Sequence, residues 1–220
     1  MNCDLDHLVI AADSLAQGAA WCEATLGVAP GPGGQHPLMG THNRLLRIDG
    51  PAFAQIYLEI IAIDPEAPAP GRARWFGLDD PALRAALKAS PRLLGAVART
   101  PNVEMHRWGL ITLGQDPGPA LAAERDTPDG KLAWRILVRD DGALPGAGRL
   151  PTLIQWQGRH PTEAMAPSAV ALQSVVFGAI TPREADLLRL RGATVQSGGP
   201  ALQAILATPR GPVTLTTAIA

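Results

Sequence analysis

Two residues that could bind a metal or transfer a proton interrupt apolar, strand-like segments of this chain. His7 lies within residues 5–10 (LDHLVI), and Glu59 lies within residues 55–61 (QIYLEII). A buried ionisable group costs free energy unless it is paired, hydrogen-bonded or bound to a metal. Two such interruptions therefore predict a functional site.

Strand alternation predicts where these two side chains point. Because successive side chains of a strand lie on opposite faces, His7 is expected on the face of Leu5 and Val9, and Glu59 on the face of Ile61. If both faces line one interior, the two polar groups can meet. The alternative is a structural His–Glu pair that only holds two strands together.

A second group of polar residues lies in the segment after the first predicted helix. His36 and His42 are six residues apart, and Pro37 and Gly40 between them predict a bend. Bent loops at the rim of a barrel often carry ligand-binding groups, so His36 and Asn43 are candidate substrate-binding residues and His42 a candidate proton carrier. The alternative is that this segment only satisfies backbone groups in a tight turn.

The remaining candidates lie on or near later strands. His160 is a candidate extra ligand or proton carrier, although Pro161 beside it is equally consistent with a structural turn. Tyr57 and Trp156 are expected either in the core or on an apolar wall for a substrate ring or acyl chain. His106 lies in a weakly patterned segment and is expected at the surface.

Composition excludes several classes of function. The 220 residues are 46% hydrophobic and 18% charged with a net charge of −1, so a core is expected, and neither nucleic acid nor an anionic membrane is an expected partner. The start of the chain lacks the pattern of a secretory signal, which favours a cytoplasmic protein. Cys3 and Cys22 form no CxxC motif, and Gly33 and Gly34 lie in no phosphate-loop motif, so no nucleotide cofactor is expected.

The elements expected to position these residues follow a repeated order. Residues 1–64 predict a strand, a helix and three further strands, and this βαβββ order recurs in residues 90–160 after a linker at residues 65–89. It recurs once more in residues 166–220. We therefore predict a domain of two units, residues 1–165, followed by a third unit.

Local signals mark where several elements begin and end. Asp13 or Ser14 is expected to cap a helix that Gly27 ends. Thr181 is expected to cap the helix of the third unit, which has proline in its first turn. Residues 128–130 (PDG) predict the turn of a hairpin.

This pattern resembles the vicinal oxygen chelate superfamily, which includes glyoxalase I, extradiol dioxygenases and bleomycin-resistance proteins. The resemblance is carried by LDHLVI at residues 5–10, YLEII at residues 57–61 and HPLMGTHNRLL at residues 36–46, and it is completed by LPTLIQW at residues 150–156. The third of these motifs is similar to the glyoxalase-like domain branch. The resemblance implies an α+β fold in which βαβββ units form half-open mixed β-barrels.

The resemblance also implies a divalent metal, and here the second unit departs from the pattern. His7 and Glu59 would be the ligands from the first unit, and they suit Zn, Fe, Mn or Ni. Alignment of the second unit places Gly95 opposite His7 and Gln155 opposite Glu59. Glycine cannot bind a metal, and glutamine is a weak ligand that could instead contact substrate. A full set of four ligands is therefore missing.

Two functions follow as expectations. The first is a metal-dependent lyase, isomerase or oxygenase that acts on a small molecule with vicinal oxygens, with Glu59 as ligand and base and His42 or His160 as proton carrier. The second is a metal-free small-molecule or drug-binding protein of the bleomycin-resistance type, which the missing ligands favour. A homodimer is possible in either case, because an unpaired sheet edge must be covered.

Overall fold

Residues 1–128 and 130–217 are described in this computed structural model. The first unit contains β1 (Cys3–Ala11), α1 (Leu15–Leu26), β2 (Gln35–His36), β3 (Thr41–Arg47) and β4 (Tyr57–Ile63). A linker with α2 (Pro81–Ala89) leads to β5 (Arg92–Arg99), α3 (Val103–Thr112), β6 (Ala120–Thr127), β7 (Gly130–Leu137) and β8 (Thr152–Gln157). The third unit contains β9 (Ala171–Phe177), α4 (Pro182–Leu188), β10 (Leu190–Arg191), β11 (Thr194–Val195), β12 (Leu202–Thr208) and β13 (Gly211–Thr216).

Helix ends lie where local sequence signals predict them. Ser14 caps α1 by accepting a hydrogen bond from the Gln17 N–H, and Gly27 ends this helix in the left-handed conformation at φ 74°. Thr181 caps α4 and forms a reciprocal capping box with Glu184. The predicted turn at residues 128–130 includes residue 129, which lies outside the described residues.

The first and second units share one large sheet. Its strands run in the order β2-β3-β4-β1-β5-β8-β7-β6, so each unit contributes four strands and the two sets meet where β1 pairs with β5 in antiparallel orientation. Both units have the same internal order, with the first strand next to the last. This is the α+β vicinal oxygen chelate fold, in which mixed sheets curve into a half-open barrel.

The third unit begins with the predicted strand and helix, but four strands follow the helix where three were predicted, and their order differs from that of the first two units. Its own sheet runs β11-β9-β12-β13, so that the first strand lies between two others, whereas β10 leaves that sheet and pairs with β1. The third unit is therefore joined by backbone pairing to the first strand of the chain.

A β-bulge in β1 changes the faces expected from alternation. Leu5 is opposite Ala98 and His7 is opposite Val97, so Asp6 has no partner of its own in β5. Leu5 belongs to the apolar cluster on the helix-covered face, together with Leu8 and Ile10. The prediction that Leu5 shares a face with His7 is therefore wrong, because the bulge reverses the alternation between these two residues.

His106 does not lie at the surface, which corrects a second prediction. Its side chain is fully buried on α3, with Nδ1 2.9 Å from Thr100 Oγ1 and Nε2 3.4 Å from Cys3 Sγ. The helix forms despite its weak pattern because Asn102 caps it and accepts from the Met105 N–H. A buried histidine whose two ring nitrogens both have neighbours in this way has a structural role.

In the part of the chain that the structure describes, none of the helices is long and apolar enough to cross a membrane.

Candidate functional site

The large sheet carries a small cavity of about 30 Å³, which we call the cup. Polar side chains line one side of it: His7, His36, Asn43, Tyr57, Glu59 and Arg125. Apolar and aromatic side chains line the rest: Trp75, Phe76, Trp134, Ile136, Ile154 and Trp156. Five of the six polar residues come from the first unit, so the two halves of the barrel contribute different chemistry.

His7 and Glu59 meet in the cup because β1 and β4 are parallel neighbours. His7 is paired with Tyr57 of β4, and Glu59 follows two residues later on the same face of that strand. His7 Nε2 is 3.5 Å from Glu59 Oε2, and both side chains are almost completely buried. The His7 ring also stacks on the Tyr57 ring with 4.5 Å between ring centroids. The structure thus brings together the two residues that interrupt the apolar strands.

Asp6 holds the other side of the His7 ring. Its Oδ1 lies 2.6 Å from His7 Nδ1, and its Oδ2 accepts from Trp156 Nε1 at 2.9 Å. His160 Nε2 is 3.0 Å from the same Oδ2. Burial disfavours the charged carboxylate, but the hydrogen bonds to His160 and His7 outweigh it, and the pKa of Asp6 lies well below its usual range. Asp6 is therefore an anion that orients His7.

The charges of His7 and Glu59 stabilise each other. Burial disfavours the His7 imidazolium, but hydrogen bonding with Asp6 and then Glu59 outweighs it and raises the pKa of His7 to about 9. Burial also opposes ionisation of Glu59, but its hydrogen bond with His7 and the His7 charge lower its pKa to about 2. At neutral pH the cup therefore contains an imidazolium between two carboxylates.

Asn43 and His36 support Glu59 from the side away from His7. Asn43 Nδ2 donates to Glu59 Oε1 at 2.6 Å, and Asn43 Oδ1 accepts from the Gly34 N–H at 2.9 Å. His36 Nδ1 lies 3.1 Å from Thr41 Oγ1, and burial lowers the pKa of His36 to about 4, which keeps the ring neutral. The Asn43 amide thus fixes one carboxylate oxygen and leaves the other facing His7.

His42 and Gln155 lie outside the cup, which corrects two candidate roles. Alternation along β3 places Asn43 in the cup and His42 on the other face, where His42 Nδ1 is 3.8 Å from Asp64 Oδ1. Gln155 Oε1 accepts from the Val103 N–H at 3.0 Å, at the start of α3. Neither side chain lines the cup, so the structure does not bring His42, the candidate proton carrier, or Gln155, the candidate substrate-binding residue, together with His7 and Glu59.

His160 lies behind the cup rather than in it. Its Nε2 is next to Asp6, and its Nδ1 is 2.7 Å from Thr162 Oγ1. Its backbone N–H is capped by Glu163 Oε1 at 2.9 Å in a short turn that contains Pro161. Both ring nitrogens already have partners, and the ring packs edge-on against Trp156 with 5.4 Å between ring centroids, so His160 supports the cup from behind. Trp156, by contrast, is one of the side chains that line the cup.

Two polar residues of the site are missed by sequence reasoning. Strand alternation directs Asp6 away from His7, and only the bulge overrides that pattern. Arg125 is contributed by β6 of the second unit, where its Nη1 donates to Asn43 Oδ1 at 3.3 Å. The Asp-His dipeptide within an apolar run was a usable signal for Asp6, whereas nothing local distinguished Arg125.

The donors in the cup do not match a resident metal centre. His7 and Glu59 offer one imidazole nitrogen and one carboxylate oxygen, and Asp6 orients His7 as the outer partners of metal-binding histidines do. However, no group of three or more His, Cys, Asp or Glu side chains among the described residues could hold a metal ion. Catalytic zinc sites typically keep three protein ligands, so this site is one side chain short.

Three solved structures are similar to this chain, and one of them has a TM-score above 0.5. A hypothetical protein from Staphylococcus aureus has a TM-score of 0.59 at 15% identity, covering 99% of this chain and 87% of that chain. Methylmalonyl-CoA epimerase from Streptomyces coelicolor has a TM-score of 0.43 at 18% identity, covering 71% of this chain and 96% of that chain. The Mycobacterium tuberculosis epimerase has a TM-score of 0.41 at 15% identity, with coverages of 73% and 91%.

The family assignment comes from the sequence match. No curated protein matches this chain. The glyoxalase-like domain family matches residues 5–191, which is most of the chain and includes every polar residue of the cup. The resemblance inferred from the sequence motifs is thereby confirmed. This chain belongs to the glyoxalase-like domain family, within the vicinal oxygen chelate superfamily.

Proposed function

We propose that this chain is an enzyme that moves a proton within a small carbonyl compound, a reaction of the isomerase or lyase class, with His7 and Glu59 as its acid–base pair. One observation carries the proposal. His7 Nε2 and Glu59 Oε2 face each other at 3.5 Å, and each side chain is held from behind, by Asp6 and Asn43 at 2.6 Å. Preorganised donors and acceptors of this kind are typical of proton-transfer sites.

The spacing suits the two adjacent atoms that such a reaction uses. His7 would donate its Nε2 proton to the carbonyl oxygen of a bound molecule, while Glu59 Oε2 would accept the proton of the neighbouring carbon. The C–H electron pair then forms the double bond of an enol, and the carbonyl pair becomes the O–H bond. Return of a proton to a different carbon or face completes an isomerisation, and departure of a leaving group completes a lyase reaction.

Substrate binding would also make Glu59 a stronger base. The hydrogen bond with His7 and the charge of His7 hold the pKa of Glu59 low despite burial. A carbonyl oxygen that takes over the Nε2 hydrogen bond weakens this stabilisation, so that burial raises the pKa of the carboxylate. The acid and the base would therefore become active together, when a ligand separates them.

The metal-dependent oxygenase expected among the alternatives has less support. Oxygen chemistry would need a redox metal, and the described donor set is one side chain short of a catalytic metal site. Proton transfer needs only groups that are present in the cup. Isomerase or lyase chemistry is thus the function that these residues support best.

A binding protein without turnover is the second candidate, and one observation favours it. The second unit contributes an apolar wall of Trp134, Ile136, Ile154 and Trp156. None of its described residues forms a hydrogen bond or ion pair with His7 or Glu59. Aromatic walls bind rings and acyl chains without chemistry. This composition fits the drug-binding members that the sequence resemblance includes.

Solvent exchange tests the reaction on a panel of candidate substrates. The parent protein is incubated in D₂O with a series of 2-hydroxy and 2-oxo carbonyl compounds, and loss of the C–H signal is followed by NMR. For the active compound, His7→Asn and Glu59→Gln should each slow exchange by about 100-fold or more. Glu66→Gln, an exposed residue outside the cup, is the matched control.

Three results would separate the candidates. Compounds that bind the parent tightly but show no exchange would favour the binding protein. Exchange that survives in both His7→Asn and Glu59→Gln would exclude the acid–base pair. Elemental analysis of the same preparation, purified without chelators or a histidine tag, completes the test. Stoichiometric metal that disappears in a His7→Ala, Glu59→Ala double variant would restore the metal-dependent alternative.

A further inference from the structure

A second cavity of about 280 Å³ lies beside the cup and is open enough for the body of a small molecule. We call it the groove. Its apolar lining includes Leu45, Leu132, Pro161 and Met165. Arg125 lines both the groove and the cup. Because the cup itself holds only about 30 Å³, a ligand would place a small head there and the rest of its structure in the groove. Such a ligand would contact Arg125, the residue that the two cavities share.

Arg125 is the cation at this junction whose charge is least satisfied by its neighbours. Among the described residues its side-chain hydrogen bond is to the neutral Asn43, at the long distance of 3.3 Å, and it belongs to none of the ion pairs. Lys131, also in the groove, is paired with Glu124 at 2.7 Å. An arginine beside a buried cavity with no carboxylate partner among these residues is a candidate receptor for an anion.

The backbone is shaped to let the guanidinium lie there. A Cβ added to Gly34 would be 2.5 Å from Arg125 Nη1 and 3.2 Å from its Cζ. Glycine at this position therefore allows the guanidinium to pack directly on the chain of the first unit. The same glycine donates its N–H to Asn43 Oδ1. Arg125, Gly34 and Asn43 thus form one hydrogen-bonded unit, whose other end holds Glu59 through Asn43 Nδ2.

We propose that Arg125 recognises a carboxylate on the substrate, so that the substrate class is a carbonyl acid with an apolar body. The carboxylate binds the guanidinium at the junction, the carbonyl enters the cup toward His7 and Glu59, and the apolar remainder occupies the groove. The planar fork of arginine matches a carboxylate with two parallel hydrogen bonds. This inference rests on the proposed function for the identity of the bound molecule, but carboxylate binding itself can be measured without any turnover.

The test compares acids with their neutral counterparts. Binding of phenylpyruvate and 2-oxohexanoate, and of their methyl esters, is measured by calorimetry on the parent protein and on variants. Arg125→Gln should weaken binding of the acids by about 10- to 100-fold, since a hydrogen bond to a charged group is lost, and should leave the esters nearly unchanged. Arg125→Lys, which keeps the charge but not the fork, should be intermediate.

Two further variants control for net charge and for folding. Gly34→Ala retains Arg125 but displaces its guanidinium, and its φ does not require glycine, so it should weaken acid binding without changing the charge of the protein. Arg44→Gln removes an exposed arginine from β3, outside both cavities, and should have no effect. Thermal unfolding of each variant shows whether it folds, and Gly34→Ala provides the test if Arg125→Gln does not.

The inference is overturned if Arg125→Gln and Gly34→Ala bind the acids as tightly as the parent, or if acids and esters weaken equally. It is also overturned if the parent binds none of the acids more tightly than its ester, or if inorganic phosphate competes with the acids and binds more tightly. Failure of the proposed reaction gives a different result. In that case the acids bind through Arg125, but no compound exchanges its C–H proton.

Discussion

His7 is the residue on which the buried charges of the cup depend. Its ring lies between the Asp6 and Glu59 carboxylates, with His7 Nδ1 2.6 Å from Asp6 and Nε2 3.5 Å from Glu59. Removing one member of such a buried set leaves an uncompensated charge in the core. This destabilises the folded state more than replacing the whole set by apolar residues would. The same arrangement supplies the proton donor of the proposed reaction, so stability and function here share one protonation state.

The pH dependence of stability follows from this residue. The His7 pKa is raised from 6.5 to about 9 on folding, so its contribution is fully present below pH 6.5 and is lost as pH rises through 9. We expect the free energy of unfolding in urea to fall by up to about 3 kcal/mol across that range.

His7→Asn should remove this decline, whereas His42→Asn, outside the cup, should retain it. His36 has the opposite effect on stability, because folding lowers its pKa from 6.5 to about 4. The free energy of unfolding should therefore also fall as pH drops from 6.5 to 4. A parent whose unfolding free energy stays constant from pH 6.5 to 9 would show that His7 is neutral in the folded state.

Among the elements, α1 packs unusually closely on the strand that carries Glu59. Gly18 is buried on the inner face of α1, and a Cβ there would be 2.3 Å from Ile60 Cγ2 and 3.1 Å from Ala12 Cβ. Ile60 is fully buried on β4, next to Glu59 on the opposite face of the strand. The position of the helix thus supports the position of the Glu59 carboxylate.

Gly18→Ala should therefore destabilise the protein although alanine favours a helix. Helix propensity alone predicts a gain of about 1 kcal/mol, while overpacking in a core typically costs about 1 to 3 kcal/mol. We expect the urea midpoint to fall with little change in slope. Ala20→Gly, on the exposed face of the same helix, measures the propensity effect alone. A stabilised Gly18→Ala would mean that α1 can move away from β4 at little cost.

At the scale of the whole molecule, the third unit is part of the same core as the first two. One cluster of buried apolar side chains includes Leu8 of the first unit, Leu153 of the second and Phe177 of the third. Arg149 also makes a two-fold ion pair with Glu184, at 2.5 and 2.7 Å, between the second and third units. The predicted boundary at residue 165 therefore divides a continuous core. The predicted homodimer and cytoplasmic location stay predictions.

Truncation at residue 165 tests whether the first two units fold alone. The shortened chain would lose the strand that pairs with β1 and the third unit's part of the shared apolar cluster. Apolar surface exposed in this way promotes aggregation. We expect the truncated chain to be insoluble or to lose cooperative thermal unfolding, while the full chain unfolds in one transition. A soluble truncated chain with its own sharp transition would show that residues 1–165 are an independent domain.

Several features were readable in the sequence because they depend on neighbours along the chain. The caps at Ser14 and Thr181 bond to amides three residues on, and Gly27 ends α1 by its own backbone conformation. Alternation within β4 correctly placed Glu59 on the face of Ile61. The four family motifs were enough to predict the fold, because they occur in the expected order along the chain. These signals are local, so one sequence was enough to read them.

Other features of the site were decided only by tertiary structure. The bulge that directs Asp6 toward His7 is a property of the pairing between β1 and β5, and the sequence of β1 alone does not predict it. Gln155 was predicted to face the cup, but its neighbours Ile154 and Trp156 do so instead. Strand alternation fixes which residues share a face but not which face is inward. Arg125 reaches Asn43 across 82 positions of sequence. The pattern of residues along the strands was thus enough to single out His7 and Glu59, whereas the register between strands determined which side chains contact them.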